Sequence, residues 1–349
     1  MFEKRASLGM RHHYMCNGCT LQVGRSLPPF VASALPTLVS RRSLAPMKHT
    51  ALAAALLLAA CATAPAGATQ MPACPPAGYD RAALEALRAA EFAIADAGER
   101  ERFAHGLVAC LASPDPFFRD QVAYEGLTRL LRSEQLSVAT RTNLTNETLA
   151  MMRGPDPDGF ARPFAALALS ELVRADRING YYDDAMYDEI VARSVAYVRG
   201  VRDYRGFDER EGWRHGVAHG ADLLMQIVLD PNFNNAAHMA AIRDAVASQV
   251  APTTHFYTYG EPERLMRPIL FIARRGAFTE AEWTAWFEQL MNPAPLNAWS
   301  EAYASQAGLA KRHNIMAFLQ AVWINARLSE STEDDVLLPG AAAALRALP

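Results

Sequence analysis

From Tyr79 to Leu328 apolar residues return at intervals of three and four with hardly a break. Almost no stretch alternates with the period of two that a half-buried strand requires. Leu84, Leu87, Ala90 and Ile94 mark a first helix, Phe103, Leu107 and Leu111 a second, and Val122, Leu127, Leu130 and Leu131 a third. Ser113-Pro114-Asp115-Pro116 breaks the chain ahead of the third and supplies its cap. The same spacing predicts helices over 135–152, 161–175, 184–200, 211–229, 236–249, 262–275, 279–291 and 307–328. Short turns join them, so neighbours must run antiparallel, and each helix can bury its apolar stripe only on the next. The chain is therefore expected to be all-α, an irregular α-solenoid of antiparallel helix pairs, with a closed α/α toroid as the alternative.

Asp115-Pro116 ahead of Arg119-Asp120 resembles the turn of HEAT-type repeats, which makes the expected array HEAT- or armadillo-like, although no strict period runs through the chain. The helical domain is expected over 79–328. Residues 61–78 are rich in Ala, Pro, Thr and Gly without apolar periodicity and read as a tether. In the tail, 329–349, Ser329 to Asp335 is polar and reads as loose, while Leu337 to Leu348 can form one more helix.

The N-terminal part carries an address. Met47-Lys48-His49 is a short positive start to an Ala/Leu run that stops at Ala60-Cys61. The run is too short to cross ~30 Å of hydrocarbon, which takes about 20 apolar residues, and it fits the core of a cleavable signal. Leu58-Ala59-Ala60-Cys61 resembles the lipobox of bacterial lipoproteins. That resemblance implies a signal peptide over 47–60, cleavage before Cys61, and acylation of Cys61 with chains such as palmitate that hold the protein on a membrane. Ala62 stands where an aspartate would mark retention at the inner membrane, so the implied place is the outer membrane, facing the periplasm. A signal should open a chain, so residues 1–46 are expected to be an untranslated or unstructured extension, with Met47, or a start near Leu38 that would add Arg41 and Arg42, as the true beginning. Cys16 and Cys19 lie in that extension and have no second pair to complete a zinc site.

Residues 1–60 hold seven of the 34 Lys and Arg but one of the 37 Asp and Glu, leaving 27 basic and 36 acidic residues in the remainder. So acidic a chain argues against a nucleic-acid partner. Beyond Cys61 only Cys74 and Cys110 remain, and in an oxidising periplasm they could pair, pinning the tether to the first helices.

The most distinctive stretch is Asp203-Tyr204-Arg205-Gly206-Phe207, followed by Glu211-Gly212-Trp213-Arg214-His215-Gly216-Val217-Ala218-His219-Gly220-Ala221-Asp222-Leu223-Leu224. On a helix, Trp213, Val217, Leu224 and Val228 share one face, and His215, His219, Asp222 and Gln226 form a narrow stripe on the other. Glycine and alanine flank that stripe, which points to a groove or a close neighbour. With Pro114-Asp115-Pro116, Arg119-Asp120, Tyr259-Gly260-Glu261-Pro262-Glu263-Arg264-Leu265, Trp283 and Phe287, the pattern is similar to domain-of-unknown-function family 2785 over roughly 110–328. The resemblance implies an all-α bacterial protein and no known reaction. Tyr197 to Arg202 departs from the family pattern, which often has an acidic residue ahead of the DxRG segment, and this weakens a metal site.

Three readings of the stripe follow. His215 and His219 have the spacing to share a zinc ion, with Asp222 or a carboxylate from Asp203, Glu261 or Glu263 as third ligand, although the intervening glutamate of H-E-x-x-H enzymes is missing. A histidine polarised by Asp222 could serve as a general base in a hydrolase acting on an envelope polymer or small substrate. Or the polar groups form a buried network, Asp203 or Glu211 pairing Arg205 or Arg264 while the histidines satisfy loop carbonyls. The third carries most weight and needs no cofactor. Aromatic residues gather in two loops, Tyr204, Phe207 and Trp213 in one and His255, Phe256, Tyr257 and Tyr259 in the other, and would suit a sugar ring or a peptide. The expected function is a binding or scaffolding module for an envelope protein, glycan or peptide, through a groove built on Asp203, Arg205, Trp213, Tyr259, Glu261, Glu263 and Arg264.

Overall fold

A computed structural model describes residues 73–349; the signal segment, Cys61 and most of the tether lie outside the described residues. The helices are α1 (Arg81–Ala89), α2 (Ala97–Cys110), α3 (Glu125–Arg132), α4 (Val138–Arg153), α5 (Ala161–Asn179), α6 (Asp184–Gly200), α7 (Gly216–Val228), α8 (Ala236–Val250), α9 (Glu261–Arg274), α10 (Glu280–Leu290), α11 (Gln306–Leu328) and α12 (Leu338–Ala347). A π-helical segment, Phe117–Tyr124, runs straight into α3. Most starts are written locally. Asp80, Asp96, Ser137, Asp183, Asn235 and Ser305 each accept from a backbone N–H three residues on, and Thr279 and Glu282 cap each other's backbone at α10. At α5 the Asp156 carboxylate does this work from a distance, taking the N–H groups of Ala161 and Arg162.

The fold is all-α. Helices α3, α5, α7, α9 and α11 pack side by side in one row, and α2, α4, α6 and α8 form a second row behind it, α4 on α5, α6 on α7 and α8 on α9. This is a solenoid-like stack of antiparallel pairs. The row is open, since α1 packs on the π-helical segment and α12 on α10 and α11, so the toroidal alternative is set aside. The seam between rows is filled by Leu169, Val173, Leu224, Ile227, Ile242, Ile269 and Ile272, all essentially inaccessible to water. A disulfide joins Cys74 to Cys110, with Cα atoms 5.0 Å apart, and ties the segment before α1 to the end of α2.

Three local expectations change. The first helix stops at Ala89 and not beyond Ile94, because Glu91 and Phe92 take positive φ (53° and 60°) to turn Phe92 into the core. The seventh begins at Gly216, not at 211, because two residues pair with two in an antiparallel hairpin, β1 (Phe207–Asp208) and β2 (Gly212–Trp213). The 329–335 tail is not loose: Asp334 is fully buried and takes a forked pair of hydrogen bonds from Arg274 (2.9 and 2.7 Å).

The hairpin is held by Arg119, a fully buried guanidinium. It donates to the carbonyls of Ser113 (3.0 Å) and Glu211 (2.6 Å), pairs with Asp120 (3.0 Å), and lies 4.0 Å over the ring of Phe160. Arg214 covers Phe160 as well, at 4.1 Å, and reaches the Asp158 carbonyl and the Glu211 carboxylate. Gly212 (φ 73°) sits so close that a Cβ there would meet Arg119 Nη2 at 2.9 Å. Arg119→Met should therefore destabilise the protein by about 3 kcal/mol, since it strands Asp120 and leaves the Ser113 and Glu211 carbonyls without their donor. Chemical denaturation checks this, and a loss below about 1 kcal/mol would show the clamp to be dispensable.

Candidate functional site

The Asp203-to-His215 segment forms a flap over the start of α7. Arg205 and Asp203 pair through the main chain and side chain, Arg214 N–H donates to Gly206 O (2.9 Å), and His215 N–H donates to Arg205 O (3.1 Å). Gly206 has no room for a side chain, because a Cβ would lie 2.0 Å from the ring of Tyr259. His215 has left-handed backbone (φ 54°, ψ 38°), strained for a residue with a Cβ, and ends the flap as the cap of α7.

A file of rings runs inward from there. Tyr259 meets Trp213 edge-on at 5.7 Å, Trp213 stacks on His215 at 4.7 Å, His215 meets His219 at 5.8 Å, and His219 meets Phe164 at 5.1 Å. Both imidazoles are over nine-tenths buried. His215 Nε2 donates to Tyr259 O (3.1 Å) and lies 3.9 Å from Glu261 Oε1. Glu261 is itself buried and accepts from Tyr259 N–H (2.9 Å). Burial pushes His215 down to about 4, the charge of Arg264 adds to this, and the Tyr259 carbonyl opposes it. Burial drives His219 well below the usual histidine range too, reinforced by His215 and Arg264. Both rings are neutral at pH 7.

The proposed working groups are therefore only partly brought together. His215 and His219 are neighbours, but Asp222 is engaged elsewhere: it forms an ion pair with Arg264 and lies 3.6 Å from Arg267. Burial raises the Asp222 carboxyl while these guanidiniums pull it back. Helix α7 begins after His215, so that ring follows the flap and not the stripe. Among the described residues no three His, Cys, Asp or Glu side chains come together as a metal-binding group, so the zinc set of His215, His219 and Asp222 is not assembled. Of the other groove candidates, Trp213, Tyr259 and Glu261 join the ring file, Arg264 belongs to Asp222, Asp203 and Arg205 pair with each other, and Glu263 is exposed.

A cleft of about 380 Å³ opens on the flap, lined among others by Arg205, Phe207, Glu211, Arg214, His255 and Tyr259. Phe207 and Tyr259 are 47% and 39% exposed, high for aromatic side chains. Arg214 was not singled out from the sequence; only its contact with Phe160, more than fifty residues away, reveals its place. A second cleft, about 460 Å³, lies between α5, α6 and α8 among Asp176, Tyr187, Asp230 and His238, and no motif pointed to it.

The family model for the protein of unknown function DUF2785 matches residues 149–324, and the chain belongs to this family. The match begins within α4, so the Pro114-to-Asp120 segment, part of the resemblance, falls outside it. No curated protein and no solved structure matches the chain.

The buried imidazoles predict a pH effect. The unfolded chain titrates its histidines near 6.5 and folded His215 near 4, so between these values the unfolded state binds more protons. Stability present at pH 7 is lost as pH falls through that window, about 3 kcal/mol from His215 at about 1.4 kcal/mol per unit, with His219 adding loss of the same sign. Asp120, raised by burial to about 6, and Glu261 and Asp222, also raised by burial, take up their protons first in the folded state and act in the opposite direction. Relative to the parent chain, His215→Phe should shift the melting-point difference between pH 7 and pH 4.5 in favour of the lower pH; an unchanged difference would contradict the assignment.

Proposed function

We propose that this chain is a lipid-anchored protein of the bacterial envelope, on the periplasmic face of the outer membrane, whose helical array binds a glycan or peptide through the flap cleft. The lipobox-like Leu58-Ala59-Ala60-Cys61 supports the anchor. The Cys74–Cys110 bridge supports an oxidising compartment, because such cross-links persist outside the cytosol. Among the described residues no helix is long and apolar enough to cross a membrane, which leaves the acyl chains on Cys61 as the attachment this reading uses.

One observation favours binding over hydrolysis: the three side chains on which the hydrolase reading rests are already committed. His215 donates to a backbone carbonyl, His219 is sealed between His215 and Phe164, and Asp222 is held by Arg264. A general base must reach a substrate proton, and neither imidazole faces the cleft. What does face it is a pair of exposed aromatic rings beside Arg205, Glu211, Arg214 and His255, a combination that stacks on a sugar or side-chain face and hydrogen-bonds its rim.

Two tests separate anchor from ligand. Cys61→Ala should move the protein from the membrane fraction to the soluble periplasm; continued sedimentation with membranes would overturn the lipid anchor. Phe207→Ala with Tyr259→Ala should weaken binding to solubilised peptidoglycan fragments about tenfold, the worth of two stacking contacts, while leaving the melting point within a few degrees. Equal binding by the double variant, in isothermal titration, would remove the cleft from the reading.

A further inference from the structure

Beyond the flap, the row α3, α5, α7 and α9 presents a second set of side chains, none of which lines that cleft. Helical spacing aligns Tyr124 at the end of the π-helical segment with Thr128 and Arg132 along α3, Glu171 and Arg174 along α5 with Arg177 one turn on, Asp222 and Gln226 along α7, and Arg264 and Arg267 along α9. They are one cluster. Arg132 grips Glu171 through two hydrogen bonds (2.8 and 2.6 Å), Arg177 donates to Gln226 (3.2 Å), and Arg264 and Arg267 converge on Asp222.

The charges are layered. Glu171 and Asp222, the two carboxylates, are sunk to 7% and 9% exposure, whereas the side chains of Arg132, Arg264 and Arg267 keep 50%, 31% and 28% of theirs. Five guanidiniums thus overlie two carboxylates, and solvent meets positive charge on a chain whose formal charge is −3. The Arg174 guanidinium makes no hydrogen bond to any described residue, and beside it Arg177 Nε is buried without a partner while its Nη2 holds Gln226.

We propose that this face receives an extended acidic segment of a partner polypeptide. Helix axes in contact lie ~8–10 Å apart, so the four helices span about 25–30 Å, the length of roughly nine residues of chain in the extended polyproline II conformation, in which every third side chain points the same way. A carboxylate on about every third residue would meet one helix after another. A guanidinium carries five N–H donors, so Arg132 on Glu171 and Arg264 on Asp222 keep N–H groups for a second carboxylate, and Arg174 can offer a matched pair. Between them Gln226, whose oxygen accepts from Arg177, keeps its amide N–H groups for a peptide carbonyl, a donor for which a phosphate-rich membrane surface has less use. The inference stands apart from the flap cleft, and either can fail without the other.

The test uses the folded chain and a fluorescein-labelled peptide of about nine residues with Glu at every third position, beside its Gln counterpart, read by anisotropy. The Glu peptide should bind, the Gln peptide at least tenfold more weakly, and affinity should fall as salt rises. Arg174→Ala with Arg177→Ala should cost about tenfold or more, because it leaves both buried ion pairs intact. Arg174→Gln alone, a milder change, should reduce affinity severalfold if the double variant is unstable. Phe207→Ala with Tyr259→Ala should leave peptide binding unchanged. Equal affinity for both peptides, indifference to the Arg174 variants, or tighter binding to phosphatidylglycerol vesicles than to the peptide would each overturn the proposal.

Discussion

The buried guanidinium of Arg119 is the constraint on which the rest of the site depends. An unpaired charge at zero exposure would be ruinous, so its donors must all be used, and they are used on three separate pieces of chain: the Ser113–Pro114 turn, Asp120 beside it, and the Glu211 carbonyl of the flap. Phe160, at the start of α5, sits with Arg119 at 4.0 Å and Arg214 at 4.1 Å. Two cations sharing one ring is tolerable only because each has its own carboxylate, Asp120 and Glu211. This arrangement holds the flap down, and the flap in turn sets His215 in its left-handed backbone and directs its ring to Tyr259 O.

Burial then decides the chemistry of what lies beneath. In a dry environment the neutral form of an imidazole is favoured over the cation, and an arginine nearby only strengthens that preference. Asp222 experiences the same burial but has two guanidiniums within reach, so it is built into an ionic bridge between α7 and α9. Groups that look like a catalytic stripe on a helical wheel are thus parted by their partners. The polar groups that remain addressable are on the flap rim and on the arginine-bearing row.

Much of the architecture was legible. The helix at 184–200 folds over those same residues, because Asp183 caps it and its buried Ile190, Val191, Ser194, Val195 and Val198 repeat at helical spacing. The next helix was misread at its start for a physical reason: periodicity through Trp213 cannot reveal that Gly212 will take positive φ, or that Phe207 will pair with Trp213 across a turn. Asp334 was misread for a related one, since a polar residue among polar neighbours carries no sign that Arg274, sixty residues earlier, will bury it. For the candidate site, the Asp203-to-Asp222 segment stood out in the sequence by its unusual density of His, Trp and Gly, but the roles of Arg119 and Arg214 did not.

What the sequence determined by itself was whatever depends on near neighbours: the helical periodicity, the caps, the all-α class and the family motif. What only the tertiary structure decided was the state of the polar groups, namely which histidine is sealed, which carboxylate is paired and which guanidinium faces water. The reason is range. Helix formation is settled over three or four residues of hydrogen bonding and packing, whereas the energy of a charge or an imidazole depends on how much water is excluded around it and which opposite charge lies within a few ångströms. Those are supplied by residues such as Arg264 for Asp222, Tyr259 for His215 and Glu211 for Arg119, which are distant in the chain.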